Sequence, residues 1–195
     1  MKKRITFIIA FLVVVLFFSG CNAVENSSTS GSRLILNSIL GQDLEGSPSS
    51  TAFSDVLIEG SVVNDTGILY LSAELLDPIN EDPTYYQDII VDQVDVEYSR
   101  TDGQNVQGVD VPYSFSQNVG GTLISLLASG PTEVPFILVN HNAKLEPPLV
   151  GLINIGQAKI LKLEAKVTVH GKDLAGHRVE PVVGTISVWC ANYGD

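Results

Sequence analysis

The sequence predicts an all-β protein whose strands form a two-sheet antiparallel sandwich. Apolar and polar residues alternate with a period of two along several runs of the chain, which is typical of strands with one buried face. Clusters of Gly, Asn, Asp and Pro separate these runs and predict turns. The sequence has no heptad repeat and no convincing amphipathic helix. Seven or eight short strands within residues 33–195 favour a single sandwich domain.

The first twenty residues predict a cleaved export signal that precedes the domain. Residues 1–4 (MKKR) are cationic, residues 5–18 are apolar apart from Thr6, and two small residues, Ser19 and Gly20, follow. An apolar stretch of this length is too short for a spanning helix, which needs about 20 residues, but it suits a signal peptide.

The end of this leader, Phe18-Ser19-Gly20-Cys21, resembles the lipobox of bacterial lipoproteins, which prefer Leu at the position of Phe18. The resemblance covers only the leader. It implies diacylglycerol on the thiol of Cys21, which becomes the mature N-terminus, and no other cofactor. The alternative is ordinary cleavage that leaves a free N-terminal cysteine. The resemblance further implies a membrane partner in the cell envelope, and Asn22, in place of Asp, favours the outer membrane if the source is Gram-negative.

Charge and cysteine content limit the classes of function. The net charge is −11, and three of the 11 cations but none of the 22 acids lie in the leader, so the remainder carries −14. Such a surface repels phosphate backbones and argues against a nucleic-acid partner. With Cys21 lipidated, Cys190 has no intramolecular disulfide partner and is predicted to be a buried thiol.

Residues 21–32 are small and polar and predict a flexible linker after the lipidated cysteine. Residues 33–40 form a first strand or a short helix, and residues 46–51 form a loop. Residues 56–62 and 69–75 alternate on either side of a turn at residues 64–67. The pattern predicts that these two runs pair as a β-hairpin.

The second half of the chain supplies the clearest strands. Residues 90–100 alternate most regularly, residues 101–105 form a turn, and Val109, Val111, Tyr113 and Phe115 predict the next strand. Phe136 to Val139 could be a strand. The final pair of strands is predicted at residues 160–170 and 179–190.

The hairpin that this final pair forms includes residues 167–188 (VTVHGKDLAGHRVEPVVGTISV). This segment is similar to the closing hairpin of bacterial immunoglobulin-like and fibronectin-type-III-like domains. Gly171, Asp173, Ala175 and Gly176 match the turn of that hairpin, and His177 stands where Asn is usual. The resemblance covers about 22 residues. It implies an immunoglobulin-like sandwich of a kind that mostly serves as a spacer or binding module, and a shared fold does not specify a reaction.

Catalytic motifs are absent from the sequence, so a non-enzymatic domain is predicted. There is no G-x-S-x-G, H-E-x-x-H, phosphate-binding glycine loop or C-x-x-C. A serine triad could still assemble in space around one of the three histidines, His141, His170 or His177.

Two weak metal sites are possible in principle. His170 and His177 flank the last turn and could bind zinc or copper with Asp173 or His141, although solvated residues and an Asp173 that bonds its own turn are favoured. Residues 77–88 contain four acids that could bind calcium, although a solvated acidic loop is favoured. These acids are Asp77, Glu81, Asp82 and Asp88.

Aromatic residues offer a further candidate binding surface. Tyr85 and Tyr86, with Trp189 and Tyr193, could bind a sugar or a peptide. Trp189 lies between Val188 and Cys190, so it faces the other side of its strand, where a second core contact is favoured over an exposed platform.

The leading hypothesis for the whole chain is a lipid-anchored, non-enzymatic module that engages a protein or an envelope polymer. A metal- or ligand-binding lipoprotein is the alternative.

Overall fold

A computed structural model describes residues 29–79, 82–155 and 158–194. The described chain is all-β, with nine strands in two sheets. The predicted signal peptide and Cys21 lie outside the described residues. The strands are β1 (Ser32–Gln42), β2 (Pro48–Ser49), β3 (Thr51–Asp55), β4 (Asp65–Leu75), β5 (Ile89–Ser99), β6 (Phe115–Ile124), β7 (Thr132–Val139), β8 (Leu161–Asp173) and β9 (Val182–Ala191).

The two sheets differ in size. The smaller one has the order β2-β1-β4-β7 and the larger one has the order β3-β9-β8-β5-β6. All the pairings in them are antiparallel except that β3 runs parallel to β9, with Thr51 opposite Ser187 and Asp55 opposite Ala191. The antiparallel prediction is therefore wrong at this one edge.

The core lies between the inward faces of the two sheets. The core-facing residues of β8 are every second one, Leu161, Leu163, Ala165, Val167 and Val169, all of which are buried, whereas bulges in β1 and β5 interrupt this alternation. Tyr98 on β5 crosses this core, and its Oη donates a hydrogen bond of 2.5 Å to the carbonyl oxygen of Leu138 on β7. This bond joins the two sheets directly.

Several predicted strands are confirmed. Residues 33–40 belong to β1, so the strand is correct and the short helix is wrong. The predictions for β5, β7, β8 and β9 are also correct to within a few residues at each end. In β8 and β9 and in most of β5 the alternation of apolar and polar residues is sufficient to reveal the strand, whereas β1 and β7 are short apolar runs that the sequence left open.

The predicted strand at residues 69–75 is confirmed as part of β4, but its predicted hairpin with residues 56–62 is wrong. Residues 56–64 are not a strand, and β3, which precedes them, pairs with β9, whereas β4 pairs with β1 and β7. The chain therefore crosses from one sheet to the other between β3 and β4. The alternation of apolar and polar residues is the same before such a crossing as it is in a hairpin, so the local sequence does not distinguish the two.

The strand predicted from Val109 to Phe115 is also wrong, because β6 begins only at Phe115. Residues 106–111 form tight turns in which the amide nitrogens of Val109 and Asp110 donate to the carbonyl oxygen of Val106. Of the four alternating residues, Val109 and Tyr113 are exposed, Phe115 is half-buried and Val111 is buried. The alternation here reflects one anchored side chain in a loop.

The predicted linker is too long at its C-terminal end. The amide of Ser30 donates to the carbonyl oxygen of Arg178 at 3.1 Å, Thr29 forms a bridge with the same residue, and Ser32 already begins β1. Ser30 and Ser32 are both buried. Residues 29–32 therefore belong to the domain.

The sandwich has two poles with different loops. The N-terminal pole carries residues 29–31 and the loops between β4 and β5 (described at 76–79 and 82–88), between β6 and β7 (125–131) and between β8 and β9 (174–181). The C-terminal pole carries residues 43–47, 56–64, 100–114, 140–155 and 158–160, with the short helix α1 (His141–Lys144) at the start of the segment after β7. In the part of the chain that the structure describes, no helix is long and apolar enough to cross a membrane.

We expect Tyr98→Phe to destabilise the domain by about 1–3 kcal/mol, because it removes the buried hydrogen bond from the Tyr98 hydroxyl to the Leu138 carbonyl oxygen. Denaturant unfolding at pH 7 measures the change. Tyr113→Phe is the control, since that side chain is exposed. Equal stability of Tyr98→Phe and the wild type would show that the bond between the sheets contributes nothing.

Candidate functional sites at the two poles

Asp173 organises the turn between β8 and β9 at the N-terminal pole. Its Oδ1 accepts a hydrogen bond from the amide of His177 at 2.8 Å, and its Oδ2 lies 3.1 Å from Nδ1 of His177. The backbone closes the same turn, because the Asp173 amide donates to the carbonyl oxygen of His177 and Gly176 has a φ of 92°. The prediction that Asp173 bonds its own turn is confirmed.

The electrostatics of Asp173 fit this structural role. Burial raises the pKa of the carboxyl, but hydrogen bonds from the His177 amide, from the Ser30 side chain and from the His177 ring outweigh it, so the net pKa lies below its ordinary value of 3.8. Because Ser30 lies just before β1, the carboxylate also holds the chain in place ahead of that strand.

The two candidate metal-binding histidines have separate partners. His177 lies against Asp173, whereas Nε2 of His170 lies 2.7 Å from Oδ2 of Asp95 on β5. Burial opposes ionisation of Asp95, but hydrogen bonds that include this one lower its pKa. His141 is at the opposite pole, next to Asn64, so the prediction that it completes a site with His170 and His177 is wrong.

The acids of residues 77–88 are not clustered around one point. Asp88 is 6% exposed, and its Oδ1 accepts hydrogen bonds from the amide of Leu126 at 2.9 Å and from the hydroxyl of Ser125 at 3.3 Å. Asp82 is exposed, and Glu81 lies outside the described residues. Over residues 29–79, 82–155 and 158–194, no group of three or more metal-ligating side chains comes together.

A groove of about 720 Å³ lies at the N-terminal pole, between residues 29–33 and the β8–β9 turn. Three cations line it, but Arg33 pairs with Glu74 at 2.7 Å and Lys172 lies 3.6 Å from Asp92. Arg178 is the third. Because the first two cations are balanced by neighbouring carboxylates, the groove has little excess positive charge for an anion.

Tyr85 and Tyr86 are both exposed at the same pole. They lie in a single 3₁₀ turn, with ring centroids 6.2 Å apart and the rings edge to face. The turn is held to the start of β1, because the hydroxyl of Ser32 donates to the carbonyl oxygen of Gln87 at 2.8 Å. The two rings are therefore presented to solvent from a fixed backbone.

Trp189 does not lie in the core, so the favoured prediction for it is wrong. It is half-buried on the outer face of the larger sheet, where its ring packs edge to face against Phe53 at 5.5 Å between centroids. Phe53 in turn contacts Tyr193, and Nζ of Lys162 lies 4.1 Å from the centroid of Trp189. These four side chains form an aromatic platform towards the C-terminal pole, whereas Tyr85 and Tyr86 lie at the N-terminal pole, so the prediction that the two tyrosines share a surface with Trp189 and Tyr193 is wrong.

A second groove, of about 450 Å³, borders this platform at the C-terminal pole. Phe53 and Tyr193 line it together with acids. Asp43 is occupied by its own loop, since it accepts from the amides of Glu45 and Ser47, and Asp55 accepts from those of Leu57 and Tyr193. The platform, rather than a set of free carboxylates, is therefore what this region offers to a partner.

An ion pair that the sequence did not predict is buried beneath this groove. Lys144 on α1 is completely buried, and its Nζ donates to Oδ1 of Asp65 and to the carbonyl oxygen of Asp55, both at 2.7 Å. Burial raises the pKa of Asp65, although Lys144 acts in the opposite direction. No local signal marks Lys144, because only the tertiary fold covers it.

Cys190 is a buried free thiol next to this ion pair, as predicted. Burial, with the charge of Asp65 nearby, raises its pKa to about 12. A thiol with so high a pKa is almost entirely protonated at neutral pH and is a poor nucleophile.

Comparison with known proteins does not assign the chain to a class. No protein-family model matches it, and no curated protein sequence matches it significantly.

We expect Asp173→Asn to lower the free energy of unfolding at pH 7, because it removes the charge that the His177 and Ser30 donors stabilise. The pKa of Asp173 is depressed in the folded state, so its stabilisation is present above 3.8 and is lost as the pH falls through the folded value. The difference between wild type and variant should therefore shrink below pH 3.8. Asp82→Asn, on the same pole but exposed, is the control in parallel denaturant titrations.

Lys144→Met should destabilise the domain by about 3–5 kcal/mol, because it leaves the Asp65 carboxylate buried without a counter-charge. The double variant with Asp65→Leu should recover much of the loss, since an apolar pair can replace a buried ion pair. Thermal and denaturant unfolding measure both. Lys166→Met, from the exposed pair with Glu97, should change stability little; an equal loss there would contradict the role of burial.

Proposed function

We propose that this chain is a bacterial envelope lipoprotein whose β-sandwich is a non-enzymatic binding or structural module. The observation that carries the proposal is the leader, in which a cationic start, an apolar stretch and Phe18-Ser19-Gly20-Cys21 follow in order. Lipid on Cys21 would hold the domain at a membrane. Two or more acyl chains make such anchoring stable, whereas one alone is marginal. Asn22 favours the outer membrane in a Gram-negative source.

The strand order supports a finer assignment of the fold, to the immunoglobulin-like class. In that class one sheet contains strands A, B and E and the other contains C, F and G. Here β1, β4 and β7 occupy the first set, and β5, β8 and β9 occupy the second, with β6 beside β5. The similarity of residues 167–188 to a closing immunoglobulin-like hairpin points the same way.

The surroundings of the histidines favour a non-enzymatic module. His141 lies against Asn64, His170 against Asp95 and His177 against Asp173, so each ring has a carboxylate or amide partner and not a serine nucleophile. These partners also give no support to the alternative of a metal site at the β8–β9 turn. No observation favours that alternative over the binding module.

The partner is proposed to be a protein or an envelope polymer that reaches the C-terminal pole. That pole lies away from the end at which residues 22–28 would lead to the lipid. It carries the groove of about 450 Å³ and the platform of Phe53, Trp189, Tyr193 and Lys162. Aromatic side chains dominate recognition surfaces. Confinement to a membrane would raise the effective concentration of the platform towards partners there.

Cys21→Ser should abolish incorporation of labelled palmitate during growth, because the thiol is the proposed attachment site. Mass spectrometry of the native protein should show an N-terminus at Cys21 that carries acyl chains. Cys190→Ala is the matched control, since it removes the other cysteine, and it should incorporate label as the wild type does. An unmodified N-terminus, or equal labelling of the Cys21→Ser variant, would overturn the anchoring.

Crosslinking at the platform tests the binding half of the proposal separately. A photoreactive residue in place of Lys162 should capture a discrete partner in intact cells, whereas the same residue in place of Lys166, which is on β8 but outside the platform, should not. Capture by the photoreactive residue at position 166 and not by the one at position 162 would show that the partner binds outside the platform.

A further inference from the structure

The N-terminal pole ends in apolar side chains that project into solvent. Ile79 is 90% exposed, Leu127 79%, and Tyr85 and Tyr86 67% each, and Leu76 at the base of the first loop is also exposed. These are among the most exposed apolar residues of the described chain. They belong to two loops, 76–88 and 125–131, that follow different strands but lie at the same pole.

The two loops are fixed to each other and to the start of the domain. Asp88 connects them, since its carboxylate accepts from the amide of Leu126 and its carbonyl oxygen accepts from the amide of Leu174 in the β8–β9 turn. Ser32 binds the tyrosine turn through the carbonyl oxygen of Gln87. The exposed apolar side chains of the two loops therefore lie at the same end of the sandwich as Ser30 and Ser32, and they are here called the apolar pole surface: Leu76, Ile79, Tyr85, Tyr86 and Leu127.

We infer that the apolar pole surface docks onto the lipid bilayer that holds the Cys21 anchor, so that the domain stands on the membrane with its C-terminal pole outward. The inference rests on the proposed lipidation. Tyrosine is favoured at the boundary between water and hydrocarbon, and apolar side chains that penetrate the headgroup region by about 5–10 Å gain burial.

The length of the connecting chain selects this orientation. Residues 22–28 join Cys21 to Thr29, and they can span no more than roughly 30 Å even when fully extended. The eleven-residue strands β1, β4 and β5 make the sandwich about 36 Å long. If the C-terminal pole faced the membrane, Thr29 would lie beyond the reach of its anchor. The exposed apolar residues of that pole, such as Val109, therefore cannot point straight at the same bilayer.

The charge of the protein selects the kind of lipid surface. Asp82 and Glu180 are exposed at the N-terminal pole, and the chain after the leader carries −14, so an anionic bilayer would repel the domain. Lys172 is already paired with Asp92. The surface therefore suits a zwitterionic headgroup layer, into which apolar side chains insert without a requirement for negative charge.

Fluorescence quenching by brominated acyl chains tests the docking directly. The native indole is removed from the lipidated protein by Trp189→Phe. One new tryptophan is then introduced, by either Leu127→Trp or Val109→Trp, and each variant is reconstituted in phosphatidylcholine vesicles. With brominated lipid, the tryptophan at position 127 should lose about half of its fluorescence, because the interfacial layer brings it within contact of the acyl chains. The tryptophan at position 109, similarly exposed at the other pole, should lose none. Tyr85→Trp is an independent second probe.

The outcomes separate docking from anchoring. Intact mass is measured first, and an unmodified Cys21 would overturn the anchoring and the docking with it. Lipidated protein without quenching at positions 127 and 85, or with equal quenching at position 109, would overturn the docking alone. The tryptophan emission at position 127 could instead shift to the blue with rising protein concentration and be independent of bromine. That result would assign the apolar pole surface to contact with a second copy of the chain, and it would also overturn the inference.

Discussion

The long strands β4, β5, β8 and β9 each have one face that is almost entirely apolar, and the opposite sheet removes that face from water. The inward residues of β4, β5, β8 and β9 are buried where the two sheets close on each other, because the helices within the described residues are turns of only three or four residues. Burial of this kind is the main favourable contribution to folding. The Tyr98 hydroxyl, which reaches the opposite sheet through the core, has a partner only when that closure is complete.

Closure of the sheets also determines where function can reside. Because nearly all the strands run antiparallel, the loops that connect them lie at the two ends of the sandwich. Between these ends the backbone is hydrogen-bonded within the sheets. The N-terminal pole holds the start of the domain, the Asp173 turn and the loops joined by Asp88. The C-terminal pole holds α1, the buried pair of Lys144 and Asp65 and the groove beside Phe53 and Tyr193. A lipid anchor at Cys21 would thus assign the two ends to different surroundings.

The candidate sites differ in how far the sequence could define them. The sequence predicted that Asp173 would bond its own turn, because that prediction needs only neighbours within five residues. It could not show that His170 faces Asp95, since the two are brought together by the register of β5 against β8. Nor could it show that Lys144 is buried, because the residues that cover it come from β3 and β4. Trp189 was placed on the correct face of its strand but with the wrong environment.

By itself, the sequence determined the all-β class and located β5, β8, β9 and most of β4, because a period of two is a local property of the backbone; it left β1 open as a strand or a short helix and gave β7 only as a possible strand. Only the tertiary structure decided that β3 pairs parallel to β9 and not with β4, that residues 106–111 turn instead of extending, and that Phe53 and Tyr193 meet Trp189. Each of these depends on contacts between segments far apart in the chain. Alternation shows which side of a strand is apolar. It does not show whether another strand or solvent will cover that side, or which strand it will be.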